Sequence, residues 1–296
     1  ATGVFVDDIL QMDKPGKAKS ICVSQGVHLV LDKKFYPSAH ALMIPRTSDG
    51  RVLFAVPWHN NVVVGTTDTP VEEAMLEPRA LEKEIDFILE TAGAYFTQQP
   101  LRSDILSVFA GQRPLAAPQH ASQKTKEISR SHKIIVTGSG LFTILGGKWT
   151  TYRKMGEDMV NRIETELQWP GRKNTTAHLH IHGYAGNTDW NDPFYFYGSD
   201  AAEIKTSMNG TANVWISEKL KIHRMQVIWA VKREMARTVE DVLARRTRAL
   251  LLDAKESRRI APQVAAIMAD TLGKDEAWER EQLAAFEMLA GQYMAR

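Results

Sequence analysis

Cysteine is almost absent: Cys22 is the only one in 296 residues, so neither an intrachain disulfide framework nor a cysteine-based zinc site can form. That scarcity fits a reducing compartment. Long hydrophobic runs are missing too. No stretch approaches the roughly 18 consecutive apolar residues of a spanning helix, and the N-terminus lacks the basic-then-apolar pattern of a secretory signal. The expected location is therefore cytoplasmic, or peripheral on a membrane surface, which needs only a basic or amphipathic face. Charge of one sign is scarce: the formal net charge is +2, and no basic tract with interleaved aromatic residues marks a nucleic-acid partner. The nine histidines are scattered without compact carboxylate or cysteine partners, so no metal site is expected. No initiator methionine is present either, and Ala1-Thr2-Gly3-Val4 reads like a cut made inside a longer protein.

What is present is ordinary globular material, 44% hydrophobic and 24% charged, long enough for two packed cores at roughly 100–200 residues each. Short β-branched and apolar runs predict strands at 27–31, 41–44, 52–56, 62–66, 105–110, 133–137 and 141–145, the pattern of a largely antiparallel sheet. Ser48-Asp49-Gly50 is a tight-turn signal between two of them. Leu81, Ile85, Ile88, Leu89, Ala92, Tyr95 and Phe96 recur at three and four, giving a helix with one apolar face. A second helix follows Gly146-Gly147-Lys148, with Tyr152, Met155, Met159 and Ile163 on one stripe, and stops before Pro170-Gly171. Residues 174–200 lack any sustained period and read as loop. Beyond them the chain turns helical. Thr238 and Asp241 match a capping box ahead of Val239, Val242, Leu243, Leu250 and Leu251, and two more helices run through Ile260, Val264, Ile267 and Met268, then through Leu283, Phe286, Leu289 and Tyr293.

The segment from Gly138 to Thr151 invites two nucleotide readings, and both fail. A P-loop needs glycine where Phe142 stands and Ser or Thr where Trp149 stands. A dinucleotide fingerprint from Gly138 and Gly140 needs a small residue opening a helix at Thr143, which lies in a strand-like run. What survives is an apolar strand, two glycines, Lys148 and a helix start. Glycines admit a ligand to the backbone, and a helix N-terminus favours negative charge. An ordinary turn with a solvated lysine fits the spacing equally.

Arg113 precedes Pro114 at a strand end, and Arg130 lies in Ser129-Arg130-Ser131-His132. Guanidinium forks suit phosphate or carboxylate, although each arginine alone fits a surface ion pair at least as well. His28, within Val27-His28-Leu29-Val30, sits on the face of Val30 by alternation. Its chemistry suits a base near neutral pH, and a core or interface histidine is the competing reading. Residues 218–259 carry twelve Lys or Arg against six Asp or Glu. That surplus suits a solvated helical face, or one that meets anionic lipid or another domain.

Taken in order, Ala1-Thr2-Gly3, Gly26-Val27-His28-Leu29-Val30, Pro57-Trp58, Val64-Gly65-Thr66-Thr67-Asp68-Thr69, Gly111-Gln112-Arg113-Pro114-Leu115, Ser129-Arg130-Ser131-His132 and Gly146-Gly147-Lys148-Trp149-Thr150-Thr151-Tyr152-Arg153 resemble the flavin-dependent glycerol-3-phosphate dehydrogenases. The helical stretch 236–248 resembles that family's C-terminal domain. The resemblance spans essentially the whole chain and implies an α+β fold. An antiparallel substrate-binding sheet with helices, similar to D-amino-acid oxidase and glycine oxidase, is joined to part of an FAD-binding domain and followed by an all-α C-terminal domain. The implied division is 1–23 and 133–170 for the FAD-binding domain, 24–132 for the substrate-binding domain and 171–296 for the helical domain.

It further implies FAD as cofactor, oxidation of sn-glycerol 3-phosphate to dihydroxyacetone phosphate, and a quinone as electron acceptor. Peripheral contact with the cytoplasmic face of an inner membrane and a homodimer are implied as well. His28 and Arg113 become the catalytic candidates. Arg113, Arg130 and Lys148 become the substrate-binding ones, and Ala1, Thr2, Gly3, Gly147, Lys148, Trp149 and Thr150 the cofactor-binding ones. Family members often have leucine where Trp149 stands. The glycine-rich loop that grips the cofactor's pyrophosphate is not found in this sequence, so the 296 residues alone are expected to be inactive. A related oxidase of amines or hydroxy acids, or a non-catalytic docking fragment, are the alternatives.

Overall fold

The computed structural model describes residues 2–48, 50–117, 131–208 and 214–295. In chain order the elements are α1 (Val6–Asp13), β1 (Ile21–Asp32), β2 (Leu42–Ile44), β3 (Leu53–Trp58), β4 (Asn61–Gly65), β5 (Thr69–Val71), α2 (Glu82–Gly93), β6 (Ile105–Ala116), β7 (His132–Val136) and β8 (Phe142–Gly146). They continue as α3 (Tyr152–Glu166), α4 (Ala201–Met208), β9 (Trp215–Ser217), β10 (Ile222–His223), α5 (Arg224–Arg233), a π-helical turn (Asp241–Arg246), α6 (Ala249–Leu252), α7 (Ala254–Leu272) and α8 (Glu276–Ala290). The class is α+β with antiparallel pairing and a helical C-terminal region. Each strand run expected from β-branched content is present. β1 is longer than its signal because Ile21, Cys22 and Val23 extend it toward β5.

Two compact units divide the chain. One comprises Ala1–Val27, Thr67–Pro78 and Ala110–His180, the other His28–Thr66, Arg79–Phe109 and Ile181–Arg296. In the first, β1 pairs antiparallel with β5 through Val23 and Val71, and β7 pairs with β8 through Ile134 and Ile144. A small core of Val6, Leu10, Ile21 and Leu145, with Val23, Ile135 and Leu141 against it, joins α1 to the β7–β8 hairpin. α3 buries none of its residues; the stripe from Tyr152 to Ile163 stays at least partly exposed.

In the second unit β2, β3, β4 and the end of β1 form an antiparallel sheet. The β2–β3 turn closes as its sequence predicts: Thr47 N–H donates to Arg51 O at 2.9 Å, and Gly50 adopts φ +78°. β1 shows no alternation here, because Leu29, Val30 and Leu31 are all buried. A strand covered on both faces reads as a continuous apolar run, so the face assigned to His28 by alternation is not a solvent face against a core face. The helical core gathers Val227, Leu243, Leu250, Ile260, Val264 and Phe286. Asp253 caps α7 by accepting the Glu256 N–H, and Asp275 caps α8 through Trp278 N–H. Among the described residues no helix is long and apolar enough to cross a membrane.

α5 starts on an unusual cap. The buried His223 ring accepts the Met225 N–H on Nδ1 at 3.0 Å, while Gln226 Oε1 accepts the His223 N–H at 2.6 Å. Burial holds the His223 imidazole below its ordinary value of 6.5, and burial together with Arg248 does the same for His59. A proton on Nδ1 would also remove the cap's acceptor. For both rings the folded value lies below the unfolded one, so the unfolded chain binds protons first as pH drops. Their contribution is complete above about pH 6.5 and is lost as pH falls through the folded values. Melting temperature is expected to decline between about pH 7 and about pH 5, and His223→Asn, which can still cap, to flatten that decline. Superimposable pH profiles for the two proteins would contradict the assignment.

Candidate active site

At the end of β8 the chain reverses through Gly146 and Gly147, at φ +67° and +82°, and enters a 3-10 turn, Trp149–Thr151, that leads into α3. Such a start leaves backbone N–H groups without helical partners and carries positive potential. The α-helix itself begins at Tyr152, because the 3-10 turn comes between it and the extended Lys148. A side chain at Gly147 would meet Met155 Sδ at 2.6 Å and His132 Cβ at 3.2 Å, so the inner side of this turn is filled by the protein and its outer side is open. Lys148, Trp149, Thr150 and Tyr152 are exposed there, and Trp149 stacks on Tyr152 at 5.7 Å. Among the described residues the Lys148 ammonium has no ion pair.

Gly147→Ala combines a left-handed backbone with the Met155 collision. It is expected to cost about 1–3 kcal/mol, read as a lowered melting temperature. Met155→Ala in the same chain relieves the collision and not the backbone strain, so recovery should be partial. No loss in the single variant would contradict this reading of the turn.

A second glycine opens the 3-10 turn, Gly3–Phe5, that leads into α1. Gly3 takes φ +55° with no atom within 4 Å of where a Cβ would stand, and Thr2 O accepts the Phe5 N–H at 3.0 Å. Asp13, at the far end of α1, accepts a hydrogen bond from Ser139 in the β7–β8 turn, whereas Val6 shares a core with Leu145. The helix therefore runs back along the hairpin from its turn toward the glycine pair, and the Thr2-Gly3 end lies toward Gly146.

Arg113 is the third part of this end of the unit. A Cβ at Gly146 would lie 3.7 Å from Ala116 Cβ and 3.8 Å from Ala116 N, and Ala116 follows Arg113 by three positions on β6, about 10 Å of extended chain. Arg113 Nη1 donates to Thr67 O at 3.3 Å and lies 3.8 Å from Asp68 Oδ1; the side chain is 35% exposed. Thr67 is itself fixed, its hydroxyl accepting the Val27 N–H at 3.0 Å, and Asp68 accepts from Ser24. Asp68 thus orients Arg113. Sequence reasoning does not single Asp68 out; its one signal is an acidic residue closing a Gly-Thr-Thr-Asp run. Cys22 feels the same carboxylate: burial chiefly, then Asp68, push its thiol up.

His28 belongs to the other unit. It pairs with Gly65 and stacks on Phe109 at 5.2 Å with 18° between the rings, half-buried. Arg130 and Ala1 lie outside the described residues. Thr2, Gly3, Arg113, Gly147, Lys148, Trp149 and Thr150 are brought into one unit, and His28 is not among them. Two glycine turns opening helices, one with an empty cradle at Gly3, fit the edge of a planar, electron-accepting ring. No G-x-G-x-x-G fingerprint for a pyrophosphate occurs in the sequence.

The fold and this arrangement define a class, and comparison with known proteins agrees: the chain belongs to the FAD-dependent oxidoreductase family, whose model matches residues 1–153. The model of the C-terminal domain of alpha-glycerophosphate oxidase matches residues 143–279. Within that class the similarity is to the glycerol-3-phosphate dehydrogenases. A probable mitochondrial glycerol-3-phosphate dehydrogenase of Caenorhabditis elegans is 35% identical over 313 residues, and the mitochondrial enzyme of Homo sapiens is 31% identical over 310. Each match covers 96% of this chain and 42% of the relative, so the chain spans less than half the length of these relatives. The crystal structure of the Bacillus halodurans glycerol-3-phosphate dehydrogenase complexed with FAD is similar with a TM-score of 0.80 at 26% identity, over 98% of this chain and 61% of that one.

Proposed function

We propose that this chain supplies the substrate side and the flavin-ring edge of an FAD-dependent enzyme that oxidises sn-glycerol 3-phosphate to dihydroxyacetone phosphate and delivers the electrons to a quinone. The observation that carries the reading is the closeness of Gly146 to Ala116, whose Cβ and N would lie 3.7 and 3.8 Å from a Cβ added at Gly146, which puts the strand of Arg113 beside the glycine turn before Lys148. Residues 1–23 and 133–170 belong to the cofactor domain in this account, 24–132 to the substrate domain and 171–296 to the helical domain. Bound FAD supplies the two-electron acceptor for the hydrogen on C2.

The chain's own residues do the rest. Arg113, joined by Arg130, holds the phosphate or polarises the C2 oxygen, and its fork suits either task. His28 takes the hydroxyl proton, as a neutral imidazole can near pH 7. Gly147, Lys148, Trp149 and Thr150 line the ring edge with backbone N–H groups and a cation, where positive potential favours the reduced, anionic form. The whole flavin-loaded enzyme, mixed anaerobically with substrate, tests this. Its flavin absorbance should bleach with sn-glycerol 3-phosphate and persist with glycerol, glycine and lactate. Bleaching by an unphosphorylated amine or hydroxy acid would transfer the chain to the oxidase alternative.

A further inference from the structure

A cavity of about 250 Å3 lies wholly within the second unit, between the Tyr195–Asp200 turn and the π-helical turn. It is smaller than the roughly 300–1,000 Å3 typical of drug-sized ligands. Of its three arginines, Arg245 is engaged by Glu240 and Asp241, and Arg246 donates to the Glu234 carbonyl at 2.6 Å. Arg248 differs. Its guanidinium lies over the Phe196 ring at 5.9 Å and has no hydrogen bond or ion pair among the described residues. It is also the residue at φ +60° between the π-helical turn and α6.

Two further groups in the lining lack a hydrogen bond. The Tyr197 hydroxyl and Glu234 Oε2 are buried without one, although Glu234 Oε2 lies 3.8 Å from Arg246 Nε; Tyr197 is only 6% exposed. The Gln226 side chain is within hydrogen-bonding reach of the Tyr197 hydroxyl and opposes the effect of burial on it, yet no group meets full hydrogen-bond geometry with the phenol oxygen among the described residues. A buried, unpaired hydroxyl costs free energy unless something completes it. Burial pushes the Tyr197 phenol up, keeping it a donor, and burial also raises Glu234 toward its protonated, donating form.

We infer that this cavity is a binding site for a small phosphate-bearing ligand. Arg248 supplies the charge, and the Tyr197 hydroxyl completes a tetrahedral set of acceptors from another direction. Donors on separate chain segments suit three phosphate oxygens better than the two of a planar carboxylate. The site shares no residue with the Arg113 cluster and does not depend on the function proposed above.

The test is a calorimetric titration of the 296-residue chain with inorganic phosphate, against sodium chloride at matched ionic strength, with melting temperatures alongside. Saturable binding and a phosphate-specific rise in melting temperature are expected. Arg248→Gln should weaken binding by roughly tenfold or more, the scale of a lost charge-assisted contact. Tyr197→Phe separates ligand binding from folding. Without phosphate it should melt no lower than the parent, since it deletes an unpaired hydroxyl, and with phosphate it should gain less. Vesicles containing phosphatidic acid, compared with phosphatidylcholine, distinguish a lipid headgroup from a free phosphate: Arg248-dependent vesicle binding with silent inorganic phosphate assigns the site to the headgroup. Silence of both probes overturns the inference, and so does binding unchanged in Arg248→Gln.

Discussion

Arg113→Ala in the whole flavin-loaded enzyme is expected to raise KM for sn-glycerol 3-phosphate by roughly ten- to a hundredfold. That range comes from about 1.5–3 kcal/mol for a hydrogen bond to a charged group, at about 1.4 kcal/mol per tenfold. Folding should be spared, because a partly exposed pair such as Arg113 with Asp68 contributes little to stability. Arg113→Lys keeps the charge and loses the fork, so it should fall between the two. Steady-state kinetics in phosphate-free buffer check this. A loss confined to kcat would place the guanidinium at the C2 oxygen. Unchanged kinetics in both parameters would remove Arg113 from the site.

Gly198→Ala should be the most damaging single methyl addition in the second unit. Gly198 sits at φ +55°, ψ −122°, and an added Cβ would stand 1.7 Å from the Gly183 carbonyl oxygen. That carbonyl already accepts the Ser199 N–H at 3.1 Å. Backbone cannot swing aside as a side chain does, so the collision adds to about 1–3 kcal/mol of conformational strain. At about 2–4 °C per kcal/mol for units of this size, a fall in melting temperature of about 5–10 °C is expected in a thermal melt. A change below about 2 °C would show that the Gly183 approach is not a fixed part of the fold.

The elements legible in the sequence are those whose signals are local. β-Branched runs mark the strands, and three-four spacing marks α2, α7 and α8. Thr238 and Asp241 form the expected reciprocal cap, at 3.1 and 3.0 Å. The segment after that cap is not legible. The apolar series from Val239 to Leu251 reads as one helix, yet it breaks into a π-helical turn and α6 at Arg248, and an arginine carries no sign that it will adopt a left-handed conformation usually left to glycine. α1 escapes a periodicity reading because an eight-residue helix with only Val6 and Leu10 buried has too few turns to show a period. α5 escapes it because its cap is a histidine, outside the usual capping residues.

The site divides the same way. Gly147, Lys148 and Arg113 can be singled out because glycines before a helix and arginine beside proline are short-range patterns. Asp68, which orients Arg113, is distant in sequence, and the Gly-Thr-Thr-Asp run that it closes gives no sign of that partner. The Arg248 cavity draws its lining from separate segments between His182 and Arg248, and only the fold brings them together.

The central claim is that these residues form the substrate side and the ring edge of a flavin site without the grip on the cofactor's pyrophosphate. It is tested most directly by the flavin content and turnover of the 296-residue chain purified in the presence of excess FAD. The account predicts a colourless protein with no glycerol-3-phosphate oxidation. A chain that retains stoichiometric flavin through gel filtration and turns over substrate would contradict it.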